Sequence, residues 1–149
     1  MVRLDLECGP ASTVEGVTYA IAEAAHRSGL SIDTLRYYER IQLIDPPARD
    51  SGGRRAYSDE DLAWLEFLTK LRTTGMPIRM MREYARLRHQ GNASATRRKQ
   101  ILIEQRSEVL DRITELNTCL GILDYKIANY EQCERDLDEK TSVMHEASA

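Results

Sequence analysis

The chain has 149 residues, enough for one small domain plus an extended helical element but short for two independent globular cores. Its formal charge is −3, so overall charge gives no support to nucleic-acid binding and the placement of charge carries the information: residues 1–89 hold 13 basic and 13 acidic side chains, residues 90–149 hold 8 and 11. Cys8, Cys119 and Cys133 are too widely spaced for a compact zinc motif or a disulfide framework, and the absence of a long apolar run or an N-terminal signal core leaves a soluble cytosolic protein with no membrane partner as the expectation.

In chain order, residues 1–16 read as an N-terminal arm, interrupted by Gly9-Pro10 and Gly16. Val17-Thr18-Tyr19 reads as a brief extended lead-in. A helix over about 20–28 carries a small apolar face of Ala20, Ile21, Ala24 and Ala25, and Gly29 permits a close turn. Ser31 is a suitable N-cap for a second helix ending near Ile41, with Leu35 and Tyr38 inward and Thr34, Arg36 and Tyr37 accessible. Two short helices around a tight turn describe a helix-turn-helix. Residues 45–57, rich in Pro, Gly and Arg, suit a loop or a small hairpin.

Ser58-Asp59-Glu60-Asp61 starts the next helix, Ser58 capping and Asp61 standing at the reciprocal acidic position of a capping box. Leu62, Leu65, Leu68 and Leu71 form its apolar edge, with Trp64 and Phe67, up to about Gly75. A further helix from about Pro77 places Ile78, Met81, Tyr84, Ala85 and Leu87 on a packed surface. Gln90-Gly91-Asn92-Ala93 reads as a hinge. Beyond it Val109, Ile113, Leu116, Leu120, Leu123, Ile127 and Tyr130 recur at alternating spacings of four and three, an a/d seam that Leu102 extends upstream. A coiled-coil helix over 94–130 would bury this seam by pairing two subunits; an intrachain bundle is the alternative. Residues 131–149 read as a weakly ordered polar tail.

A recognition helix must present several side chains to one groove. Thr34, Arg36 and Tyr37 lie in the first half of the second helix, the usual insertion end. Arg36 can donate two hydrogen bonds to guanine or clamp a phosphate. Arg54 and Arg55 can neutralise phosphates from the wing, Tyr57 can brace that loop or touch the backbone, and Arg27 is a further phosphate candidate near the interhelical turn. Thr18 and Tyr19 complete the DNA-facing set. The competing reading of each arginine is an ordinary solvated surface. No constellation of nucleophile, acid and base makes a case for an enzyme. A non-catalytic helical protein-interaction adaptor explains the heptads but leaves the basic-aromatic pattern accidental.

These residues resemble the MerR family of bacterial transcription regulators over about residues 17–130. The likeness is carried by Tyr19-Ala20-Ile21-Ala22-Glu23-Ala24-Ala25, Leu35-Arg36-Tyr37-Tyr38-Glu39, Gly53-Arg54-Arg55-Ala56-Tyr57-Ser58, Asp61-Leu62 and Leu71-Arg72-Thr73-Thr74-Gly75-Met76. The resemblance implies a mainly α chain: a winged helix-turn-helix domain over 17–89, then a long antiparallel dimerisation helix. It implies a homodimer on promoter double-stranded DNA that bends and undertwists an overlong spacer so that bacterial RNA polymerase engages both elements, in the cytoplasm at the nucleoid. It implies no cofactor and no covalent chemistry, with an unknown small-molecule effector as an open partner. Ile113-Thr114-Glu115-Leu116 and Leu123-Asp124-Tyr125-Lys126-Ile127 with Tyr130 resemble the aldehyde- and thiol-stress-responsive branch, whose reactive cysteine after the wing is replaced here by Lys70. Cys119 is then the candidate redox sensor, against a plain packing role near the coil. The paired cysteines of the metal-sensing members are absent, so no metal site is expected.

Overall fold

A computed structural model describes residues 16–147, so most of the N-terminal arm, Cys8 included, lies outside the described residues. The chain divides into two units, one ending at Arg106 and one starting at Ser107.

The first unit runs β1 (Thr18–Ala20), α1 (Ile21–Ser28), α2 (Ile32–Arg40), β2 (Ala48–Arg49), β3 (Arg55–Ser58), α3 (Asp59–Thr73), α4 (Ile78–Arg88), a 3-10 turn (Gly91–Ser94) and the start of α5 (Ala95–Glu146). Gly29, in the left-handed region at φ 69°, closes α1 and sends the chain into α2. The Ser31 hydroxyl accepts from the Thr34 backbone N–H and caps α2. After α2 the turn passes through Gln42 at φ 60°, a left-handed conformation uncommon for a residue with a Cβ.

The lead-in strand is part of a sheet. The antiparallel order is β1-β3-β2, with Tyr19 opposite Tyr57 and Arg49 opposite Arg55. β3 therefore sits in the middle, and its end is the N-cap of α3. There Ser58 Oγ accepts from the Asp61 backbone N–H while the Asp61 carboxylate accepts from the Ser58 backbone N–H, the reciprocal box expected from the sequence.

One core lies beneath these elements, with Leu35, Tyr38, Leu43, Leu65, Leu68, Met81 and Ile101 almost fully buried. Trp64 packs against Phe67 and Tyr84, and its indole N–H donates to the Leu43 carbonyl at 3.1 Å, tying α3 to the turn after α2. Ile78 departs from expectation: it is exposed at the first turn of α4, while Met81, Tyr84, Ala85 and Leu87 pack inward.

The supposed hinge at 90–93 is pinned: the buried Ser94 hydroxyl donates to the Leu87 carbonyl, and Arg98 donates to the Gly91 carbonyl at 3.1 Å. Leu102, assigned to the coil seam, packs against the core of the first unit beside buried Ile101. Gln105, also buried, donates to the Thr74 carbonyl at 3.0 Å and satisfies a group at the end of α3 that the helix leaves unpaired.

The second unit is the remainder of α5. The expected tail is not there: the helix of 52 residues continues through Glu146. Residues 131–146 contain neither Pro nor Gly. Gln132 donates to Asp136 at 2.8 Å and Arg135 to Gln132 at 2.9 Å, and extending an existing helix gains one backbone hydrogen bond per residue without a new nucleus. No helix among the described residues is long and apolar enough to cross a membrane.

Candidate nucleic-acid interface

α2 divides cleanly by periodicity. Leu35 and Tyr38 point into the core, while Arg36, Tyr37 and Arg40 stay exposed on the opposite side. A face that keeps two arginines and a tyrosine in solvent is one a duplex groove can accept. Arg36 is held only loosely, its guanidinium 3.6 Å from Asp33 on the same exposed surface, so it is free to redirect. The Arg40 guanidinium lies 5.5 Å from the Tyr37 ring centre, steadying that ring at the surface. Thr34 is half-buried, and its hydroxyl shares a 2.8 Å hydrogen bond with Ser31, so part of its capacity serves the helix cap.

β1 and α1 contribute a second cluster. The Arg27 guanidinium stacks 4.2 Å from the centre of the Tyr19 ring and bonds Glu23 at 2.6 Å. The Tyr19 phenol is raised above its ordinary pKa, first by its hydrogen bond with Asp59. Arg27 is thus oriented rather than free. Thr18 is exposed at the strand start.

The wing between β2 and β3 is built by Asp50. Its carboxylate accepts from the backbone N–H groups of Gly52 and Arg54, both at 2.9 Å, and from the Arg54 side chain at 3.1 Å. The Arg54 backbone N–H is the first cause holding the Asp50 carboxyl below its usual range. Gly53, at φ 76°, supplies the left-handed step that closes the turn. Arg54 is 83% exposed at the tip, and Arg49 is exposed beside it, donating to the Gly53 carbonyl at 3.2 Å.

The two wing arginines have different surroundings. Arg55 turns inward and makes two hydrogen bonds to Glu39 of α2, at 2.6 and 3.3 Å, with side chains only 28% and 16% exposed. That pairing raises the guanidinium above its ordinary pKa, the Glu39 hydrogen bond being the largest cause. Arg55 ties wing to helix. Of the two roles the sequence offers Tyr57, bracing the loop fits its placement. It is 1% exposed, so it braces the fold and has no surface to offer the DNA backbone. Its hydroxyl is buried without a hydrogen-bond partner among the described residues, and burial raises its pKa.

Reading by sequence missed Glu39, Arg40, Asp50, Arg86 and His89. A cleft of about 500 Å³ brings Arg36, Glu39, Arg40, Arg55, Arg86 and His89 to one place, and His89 pairs with Asp45 across 3.3 Å. For Arg40 a signal existed, since it follows Arg36 by four and shares its helix face. Arg86 and His89 come from α4 and no local spacing connects them to α2.

In the second unit, Ile113, Leu116, Leu120, Leu123, Ile127 and Tyr130 are all exposed along α5, and Val109 is half-buried. Cys119 and Cys133 are free and exposed. Lys70 is exposed near the end of α3. Among the described residues no group of three or more His, Cys, Asp or Glu side chains is placed to hold a metal.

Comparison with known proteins gives a consistent result. Residues 19–87 match the family described as MerR HTH family regulatory protein. An uncharacterized HTH-type transcriptional regulator of Haemophilus influenzae is 34% identical over 116 residues, covering 78% of this chain and 86% of that protein. The HTH-type transcriptional regulator AdhR of Bacillus subtilis is 40% identical over 91 residues, 61% of this chain and 65% of that protein. Among solved structures, HiNmlR, a MerR family regulator lacking the sensor domain and bound to promoter DNA, aligns with a TM-score of 0.72 at 34% identity, covering 79% of this chain and 94% of that one.

Proposed function

The chain belongs to the MerR family of HTH transcription regulators, and from that premise we propose that it binds a promoter inverted repeat as a homodimer and distorts the spacer to control how RNA polymerase engages the promoter. The observation that carries this reading is the exposed face of α2, where Arg36, Tyr37 and Arg40 stand clear of the core. Arg36 and Tyr37 are the base-reading pair in this proposal, with Thr34 at their edge. Arg27, Arg54, Thr18 and Tyr19 contact the sugar-phosphate backbone and fix register. The exposed seam of α5 joins the two copies, so two readers address matching half-sites. Spacer distortion follows when the separation of the readers differs from that of the half-sites on relaxed DNA, and deformation energy then becomes the regulatory variable. The activity is non-covalent regulation and needs no cofactor. A small-molecule effector acts by shifting the balance between relaxed and distorted complexes, and the aldehyde- and thiol-stress-responsive branch is the proposed lineage, with Lys70 in place of its cysteine and Cys119 the exposed thiol left to test as a redox sensor.

The test uses labelled duplexes carrying an inverted repeat and scrambled controls. Arg36→Ala is expected to abolish discrimination between them while leaving the sedimentation mass of the protein unchanged. Equal preference for the repeat in wild type and variant would remove Arg36 as a reader. Base-analogue fluorescence at the spacer centre reads distortion directly, and no change on binding would remove that step.

A further inference from the structure

We infer that the cleft between α2, the turn after it and α4 binds a small phosphate monoester, held by Arg40 and Arg86, and that this ligand competes with the duplex for Arg36. The competition rests on the reading above that Arg36 enters the groove; the ligand class and its place are new. The first observation is charge balance. The cleft, of about 500 Å³, is lined by four arginines, Arg36, Arg40, Arg55 and Arg86, against two carboxylates, Glu39 and Asp45. Both carboxylates are engaged: Glu39 accepts two hydrogen bonds from Arg55, and Asp45 lies 3.3 Å from His89. Arg36 reaches only Asp33, at 3.6 Å and outside the cleft. Arg40 meets the Tyr37 ring, and among the described residues neither Arg40 nor Arg86 has a carboxylate partner. Basic side chains in the last turns of α2 and α4 suit the helix dipoles. The dipoles do not require those two turns to face one cavity.

The second observation is Gln42, which lines the same cleft at φ 60°. Glycine would take that left-handed conformation without strain, but would leave the cleft without the Gln42 amide, a neutral donor beside the arginines. Strained residues of this kind collect at ligand clamps. The donor set then selects the anion. A carboxylate offers one charge and two oxygens, which a single guanidinium fork satisfies. Two forks from different helices, in a cleft with two positive charges in excess, match a phosphate monoester, with a charge near −2 and three free oxygens. A strand phosphodiester carries one charge and uses half of that excess. Buried Ile44 and neighbouring Pro46 give the cleft an apolar wall for the organic part of the ester, and the cleft volume falls within the ~300–1,000 Å³ of small-molecule sites. A bound ester draws the loosely held Arg36 guanidinium toward itself and away from the bases, so the ligand acts as a release signal.

The test uses full-length protein. Inorganic phosphate and glycerol 3-phosphate are titrated calorimetrically against a chloride buffer of equal ionic strength. One ligand per chain is expected, with glycerol 3-phosphate the tighter. Arg40→Gln and Arg86→Gln should each weaken both probes by at least about tenfold, since each removes a charge-assisted bond, and should keep the wild-type melting temperature because both side chains are exposed. With glycerol 3-phosphate at ten times its own Kd, the Kd for an inverted-repeat duplex should rise by about tenfold for each cleft the duplex must empty, in wild type and not in Arg86→Gln. Absence of saturable heat from either probe overturns the site, and full binding by both variants places the anion elsewhere and overturns it too. Glycerol 3-phosphate binding no tighter than inorganic phosphate overturns the monoester assignment. A duplex Kd that ignores the saturating ester overturns the competition. A shallower salt slope for duplex binding by Arg86→Gln, with no heat from either probe in wild type, makes the cleft part of the duplex interface and overturns the free ligand. The heats are read without DNA, so they stand apart from the role of Arg36 as a base reader, which Arg36→Ala tests on the duplex.

Discussion

Arg54 and Arg55 are neighbours in sequence, identical in chemistry, and should respond oppositely to removal. Arg55 and Glu39 form a doubly hydrogen-bonded pair whose side chains are 28% and 16% exposed. Arg55→Ala strands the Glu39 carboxylate in that half-desolvated position and should cost about 2 kcal/mol, below the loss seen for fully buried pairs and above that of surface pairs. For a unit of this size that lowers the melting temperature by about 10 °C. Glu39→Ala in the Arg55→Ala background should add little, because the two side chains act as one unit. Arg54 is 83% exposed at the wing tip, so Arg54→Ala should leave the melting temperature unchanged and, if it meets a phosphate, flatten the salt dependence of duplex binding by about 0.9 in log–log slope. Arg55→Ala should weaken binding by loosening the wing while keeping that slope. Calorimetric melting and fluorescence-anisotropy titration at four salt concentrations separate the two. A wild-type melting temperature for Arg55→Ala together with a flattened slope would refute the assignment.

Tyr57→Phe removes a buried hydroxyl that has no partner among the described residues, so stability should hold or rise by up to about 1 kcal/mol in urea titration and duplex affinity should not fall; a loss of affinity at unchanged stability would return Tyr57 to the interface. Leu102→Ala should destabilise the first unit by about 1–2 kcal/mol with the dimer mass intact, whereas Leu120→Asp should dissociate the dimer with the first unit's melting preserved; equal effects of the two on assembly would put Leu102 back in the seam. The Asp50 carboxyl sits below its ordinary value because it accepts from backbone N–H groups in the fold. A depressed folded value contributes stability that is complete above the unfolded value and is lost as pH falls through the folded one. The Gly52 and Arg54 amide resonances should therefore shift at a pH below the ordinary aspartate value of 3.8, and Asp50→Asn should abolish that step; a midpoint at or above 3.8 contradicts the wing geometry.

Local chemistry was legible in the chain and non-local chemistry was not. The Ser58–Asp61 box spans three residues, so its two hydrogen bonds are decided within the segment that encodes them. The division of α2 into Leu35 and Tyr38 inside, Arg36 and Tyr37 outside, follows from helical period alone. β3 offers no such signal. Its centre, Ala56 and Tyr57, is buried on consecutive residues, so both strand faces are covered and the alternation that would reveal Arg55 and Tyr57 as inward-facing is absent. What settles Arg55 is Glu39, sixteen residues away on another element.

The start of α5 shows the same limit from the other direction. The heptad phase that marks Ile113 to Tyr130 returns at Leu102, seven residues before Val109 and past Arg106 at the intervening position, and pattern alone extends the seam there. The first unit claims that turn instead, burying Ile101 and drawing in Leu102, because an apolar side chain serves any apolar neighbour equally well. The residue that marks the change is polar: Gln105 is buried where its amide meets the unpaired Thr74 carbonyl, a partner 31 positions upstream. Hydrophobic periodicity specifies that a helix face will be covered; a buried polar group specifies by what, since it tolerates only the neighbour that completes its hydrogen bond.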